Sequence, residues 1–222
     1  MLQLNRCFTS AITQICTSCG QRAPDPVCKY CLPTCLDFDD KEINLLSYPN
    51  IKRLVSLDHC DGLSAVSWYR PPISHWLQGI KFHHNKVHQC ALSILAHTLW
   101  QRFQKASPLC VDVACCLPLH RFRFIQRGYN QVEQIWQGLP LQPTVLIRNK
   151  KTQAQSTLSK ARRKVNLRGA FSTVTPVEGK NILLLEDVIT TGATMDAAAK
   201  ACKQQGAKSV WAMSISLTPF EG

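Results

Sequence analysis

The segment Ile182-Leu183-Leu184-Leu185-Glu186-Asp187-Val188-Ile189-Thr190-Thr191-Gly192-Ala193-Thr194 constrains this chain more than any other. Four consecutive apolar residues predict a strand buried on both faces, because a strand wetted on one side alternates instead. Two adjacent carboxylates stand at its carboxyl end, and a loop of small hydroxylated residues around Gly192 leads into an Ala-rich helix over 193–205. Ligands of open α/β sheets bind at that end of the strands. There, backbone N–H groups and the hydroxyls of Thr190, Thr191 and Thr194 can converge on a phosphate, aided by the positive helix N-terminus. The plainer alternative is a capped helix beside two solvated acids. Strand, acid pair, loop and helix in this order favour the phosphate site.

The surrounding sequence supplies a domain for that segment. Strands are expected over 63–69, 111–117, 145–147 and 210–215, with a helix opened by Pro71 and Pro72 running through Lys81 and an amphipathic helix over 85–104. Alternating strands and helices imply an α/β domain with a mainly parallel sheet flanked by helices, placed here at 61–222. The chain's 222 residues accommodate that domain and a small appendage.

The appendage, 1–60, begins with a short expected helix over 1–15 and ends in a polar connection over 36–60 in which the sequence shows little. Between them, Cys16-x2-Cys19 and Cys28-x2-Cys31 are two knuckles separated by eight residues. Each lets two thiolates approach one ion, and together they complete a closed tetrahedral zinc site of the structural kind. Cys35 is an alternative to Cys31. A redox role would call for a thioredoxin-like pattern, which is absent. Cys115 and Cys116, on an apolar strand, are expected in the core.

The 26 Lys and Arg against 14 Asp and Glu leave a formal charge of +12, which favours polyanions such as nucleic acid or highly phosphorylated ligands. The opening residues read poorly as a secretory signal, and no stretch approaches the roughly 20 apolar residues of a membrane-spanning helix, so a cytoplasmic protein is expected. Bases gather in two places. The loop after the 111–117 strand carries Arg121, Arg123 and Arg127, and guanidinium forks suit diphosphate oxygens there. The stretch 148–168 holds Arg148, Lys150, Lys151, Lys160, Arg162, Arg163, Lys164 and Arg168 without one acid. A solvated basic face is the bland reading of both.

The run from Ile182 to Thr194 is similar to the phosphoribosyl diphosphate signature of type I phosphoribosyltransferases. Pro118-Leu119-His120 followed after two residues by Arg123, then Arg127-Gly128-Tyr129-Asn130-Gln131, and farther on Thr152, Gln155, Leu158, Arg163, Asn166 and Gly169-Ala170-Phe171, resemble the ComF/GntX family. Members of that family join a cysteine finger to a phosphoribosyltransferase domain, and the resemblance extends over nearly the whole chain. The short interval between Gln131 and Val145 makes the helix between them look truncated.

The resemblance implies a type I phosphoribosyltransferase fold with a small N-terminal four-cysteine zinc-finger module. It implies that Glu186 and Asp187 hold the ribose hydroxyls, that Thr190, Thr191, Gly192, Ala193 and Thr194 hold the 5-phosphate, and that magnesium accompanies phosphoribosyl diphosphate. It further implies a role in natural competence, with imported single-stranded DNA as a partner and a helicase-like competence protein as another. Lys160, Arg162, Arg163 and Lys164 are the candidate DNA contacts, and Phe122, Phe124, Tyr129 and Phe171 are either stacking groups for a single strand or core residues. The alternative is an active transferase moving the phosphoribosyl group to a small acceptor, for which no nucleobase pocket is recognisable in the sequence.

Overall fold

The computed structural model describes residues 14–38, 42–107, 109–119, 128–142, 145–149 and 169–219. Arg121, Arg123, Arg127, Lys160, Arg162, Arg163 and Lys164 lie outside them, as does nearly all of the expected helix at 1–15. The last two residues of that helix are instead a strand.

That strand, β1 (Gln14–Ile15), pairs antiparallel with β2 (Arg22–Ala23). A short 3-10 turn over Leu45–Ser47 precedes α1 (Pro49–Leu54), β3 (Gly62–Trp68), α2 (Ile73–His83), α3 (Lys86–Ala106), β4 (Val113–Cys116) and the five-residue α4 (Gln131–Ile135). Then come β5 (Leu146–Arg148), β6 (Phe171–Thr173), β7 (Asn181–Ile189), α5 (Ala193–Gln204) and β8 (Ser209–Leu217). α3 and α4 start where a side chain satisfies their free N–H groups: the Asn85 side-chain oxygen accepts from Val87 and His88, and that of Asn130 accepts from Val132.

The central sheet has the order β3-β8-β7-β4 with every pairing parallel, as the α/β reading requires. The strand expected near Val145 is not part of it. β5 pairs antiparallel with β6 in a separate two-stranded ribbon.

β7 is longer than its apolar run suggests, because β4 pairs with it only as far as Leu185 while β8 carries the parallel ladder past Glu186 and Asp187 to Ile189. Its side chains alternate between two apolar layers. Ile182 and Leu184 pack with Met195, Ala198, Ala199 and Cys202 of α5, and with Leu45, Ile51, Val55 and Leu57. Leu183 and Leu185 pack on the other face with Trp76, Leu77 and Ile80 of α2, Leu92 and Leu95 of α3, and Trp136. Residues 182–185 are fully buried, each worth about 1.5–3 kcal/mol of transfer free energy.

The stretch 36–60 is therefore more than a polar connection. Its scattered apolar residues complete the α5-side core, and the aperiodic spacing around one turn of helix hides that in the sequence. Cys115 is buried as expected, while Cys116 is partly exposed.

Candidate functional site

β7 delivers its two acids to the carboxyl end of the sheet on opposite faces, by the same alternation that sorts its leucines. Asp187 is 5% exposed and points into the layer of α2 and α4. Its Oδ2 accepts Lys81 Nζ at 2.8 Å and Gln131 Nε2 at 3.2 Å, and its Oδ1 accepts the Val188 N–H at 2.8 Å. Burial alone would raise this carboxyl, but the Lys81 ammonium, with the hydrogen bonds from Lys81 and Gln131, overrides it and holds the group at about 2.

Glu186 has the opposite electrostatics. Burial, then the neighbouring Asp187 charge, pushes its carboxyl well above the usual carboxylate range. Its Oε1 accepts the Asp187 N–H at 3.0 Å, and its backbone oxygen accepts the fully buried Trp136 indole N–H at 3.2 Å. Lys81 keeps its proton more firmly than a free lysine: burial opposes this, but Asp187 and then Glu186 outweigh it.

The loop after β7 turns at Gly192, whose φ of 77° lies in the left-handed region and makes it the N-cap of α5. The turn is braced from 36–60. The Ser56 N–H donates to the Thr191 carbonyl at 2.9 Å, and a Cβ on Gly192 would lie 3.0 Å from the Ser56 oxygen. One turn into α5, Asp196 accepts the His59 backbone N–H at 2.7 Å and meets His59 Nδ1 at 3.0 Å. Thr190 is exposed, and Thr191 and Thr194 are partly so, which leaves the loop's outer side open to a ligand. The structure thus brings Glu186, Asp187 and Thr190–Thr194 to one end of the sheet.

Two residues that sequence reasoning passed over complete this cluster. In the sequence Lys81 marks only the end of a helix, although Ile73, Trp76, Leu77 and Ile80 define an apolar stripe onto which Lys81 falls at the next helical position. A lysine on a buried stripe needs an acid partner, and that was the available signal. Gln131 closes the Arg127–Gln131 motif, and its spacing there points to no partner. It is buried at the first turn of α4, behind the Asn130 cap. Of the four aromatics, Phe171 is only 5% exposed and packs in the core, which decides between its two readings in favour of the core. The Tyr129 hydroxyl donates to the Ile80 carbonyl at 2.8 Å and its ring rests on His84, so it shapes the end of α2. Phe122 and Phe124 lie outside the described residues.

At the other end of the chain, the β1–β2 hairpin presents Cys16 and Cys19, and the following loop presents Cys28 and Cys31. Their four sulfurs lie within 4.8 Å of one another. A tetrahedron with zinc–sulfur bonds of about 2.3 Å has edges of about 3.8 Å. The Cys19–Cys28 separation of 3.9 Å is close to that, so the four-cysteine cluster fits a structural zinc ion. Burial would raise the Cys16 thiol, yet backbone N–H groups, the Cys28 N–H foremost, bring it down to about 6 and favour the thiolate. Cys35 is 2% exposed among core residues outside the cluster, which decides the ligand alternative in favour of Cys31.

Among the described residues no helix is long and apolar enough to cross a membrane. The family model described as phosphoribosyl transferase domain matches residues 126–215, which include both acids and the whole loop. The chain is 32% identical to the DNA utilization protein YhgH of Salmonella typhi over 165 residues, covering 70% of this chain and 72% of that protein. The Escherichia coli K12 protein of the same name is 30% identical with the same coverage. Competence protein F of Haemophilus influenzae is 28% identical over 166 residues, 69% of this chain and 72% of its own. A parallel sheet carrying the acid pair and phosphate-type loop, a four-cysteine cluster before it, and relatives matched over most of their length place this chain in the ComF family.

Proposed function

We propose that this protein binds phosphoribosyl diphosphate at the carboxyl end of β7 and handles single-stranded DNA during DNA uptake or utilization. Thr190–Thr194 hold the 5-phosphate through loop N–H groups and hydroxyls, and Glu186 and Asp187 take the ribose hydroxyls. Magnesium arrives with the ligand's diphosphate, and Arg121, Arg123 and Arg127 contact that group. Zinc held by Cys16, Cys19, Cys28 and Cys31 fastens the N-terminal module. The observation that carries the reading is the meeting of a buried and a half-buried acid with an open, glycine-turned loop at one helix N-terminus. The DNA role rests on the +12 charge, the acid-free stretch 148–168 and the names of the relatives.

Two titrations test the proposal. Calorimetry with phosphoribosyl diphosphate and magnesium should show saturable binding to the parent protein. Replacing Lys160, Arg162, Arg163 and Lys164 by Gln should weaken single-strand binding and lower its salt slope by about 0.7 for each lost contact. If the quadruple change weakens sugar-phosphate binding and spares the DNA slope, the stretch acts as a lid over the ligand and is not the DNA surface.

A second reading, an active transferase, is favoured by the family match across both acids and the loop. It predicts release of diphosphate when a base or amine acceptor is added. Saturable binding with no release from a panel of acceptors would leave the first reading alone.

A further inference from the structure

Lys81 has no role in the reading above, yet it is the described cation nearest the acid pair. Its side chain is 22% exposed, its Nζ lies 2.8 Å from Asp187 Oδ2, and no other hydrogen-bonding partner is found for it among the described residues. An ammonium has three donors, so two remain for an anion that enters the site.

Where that anion lies follows from the two faces of β7. The 5-phosphate loop runs into α5, on the face that holds Ile182 and Leu184. Lys81 comes from α2, on the face that holds Leu183 and Leu185. Ribose resting on the strand tip between Glu186 and Asp187 spans the two faces. Its 5-phosphate and its anomeric diphosphate are at opposite ends of the sugar, so the end away from α5 is the diphosphate end.

We propose that Lys81 is a diphosphate-binding residue, held in place by Asp187 and Gln131. This rests on the sugar-phosphate reading and deepens it. Asp187 then has two tasks. Its Oδ2 fixes Lys81 and accepts from Gln131, while Oδ1, which takes the Val188 N–H, retains a second lone pair for a ribose hydroxyl. Gln131 is a positioning residue, since its contact with Asp187 limits the directions the carboxylate can face.

The test is calorimetry on the full chain with three probes in magnesium buffer: phosphoribosyl diphosphate, inorganic diphosphate and ribose 5-phosphate. Lys81→Gln should weaken the first two at least about tenfold, the worth of one charge-assisted contact, and leave ribose 5-phosphate within about twofold. Lys81→Arg keeps the charge and the partner for Asp187, and should restore most of the diphosphate affinity. If Lys81→Gln fails to fold, Lys81→Gln combined with Asp187→Asn removes both buried charges together and should still bind diphosphate at least about tenfold more weakly than Asp187→Asn alone. Equal weakening of all three probes by Lys81→Gln, or no change in any, overturns the assignment while the parent's own binding stands. A parent protein that binds none of the three overturns the sugar-phosphate reading, and this inference with it.

Discussion

Gly192→Ala separates the role of the loop's backbone from the role of its side chains. An alanine at φ 77° carries the left-handed penalty of about 1–2 kcal/mol. Its Cβ would also meet the Ser56 carbonyl oxygen at 3.0 Å and Leu57 side-chain carbons at 3.1 and 3.2 Å. The Ser56 oxygen cannot retreat cheaply, because the Ser56 N–H is bonded to Thr191 within the same turn. The two effects together come to about 2–3 kcal/mol, or a fall in Tm of about 5–10 °C for a chain of this size.

Gly179→Ala is the control. Its φ of 69° is equally left-handed, but nothing lies within 4 Å of the added Cβ. It carries the left-handed penalty alone, so it should melt about 2–8 °C below the parent, less far than Gly192→Ala, and bind phosphoribosyl diphosphate normally, whereas Gly192→Ala should bind at least about tenfold more weakly, since the loop N–H groups move with the turn. Scanning calorimetry and ligand titration on both variants provide the comparison. Equal melting of the two variants would refute the bracing of the loop by 36–60, and full affinity in Gly192→Ala would refute the phosphate assignment.

Two further outcomes follow from the charged groups and the thiols. Asp187 is held at about 2 against an ordinary 3.8, so its ionised form favours the folded state; the stabilisation, about 2 kcal/mol, is present above about pH 4 and fades as pH falls toward 2. In urea titrations Asp187→Asn should therefore be less stable than the parent near neutral pH, with the gap closing between about pH 4 and 2, and a gap independent of pH would remove the Lys81–Asp187 pair as its source. Metal analysis of protein prepared without chelator should find about one zinc per chain, and Cys19→Ser or Cys28→Ser should lose it together with the module's resistance to proteolysis. Metal-free protein with an intact, protease-resistant module would show that the cysteines hold it without an ion.

The features legible in the amino-acid order are those whose physics is local. A buried strand, two acids, a glycine turn and a helix N-terminus are contiguous from Ile182 to Thr194, so chain geometry alone delivers them to one place. The same holds for two knuckles of fixed spacing, where the short loop between Cys19 and Cys28 leaves few arrangements besides one cluster. What tertiary packing decided lies between residues far apart in sequence. Lys81 and Gln131 reach Asp187 only because α2 and α4 cover the same face of β7, and a parallel sheet sets that face through partners on both edges. Cys31 prevails over Cys35 because Cys35 is drawn into the core beside Val27 and Trp76. Ser56 and His59 brace the loop because Leu45, Ile51, Val55 and Leu57 are buried against the sheet, a pull exerted by apolar area and not by any spacing written along 36–60.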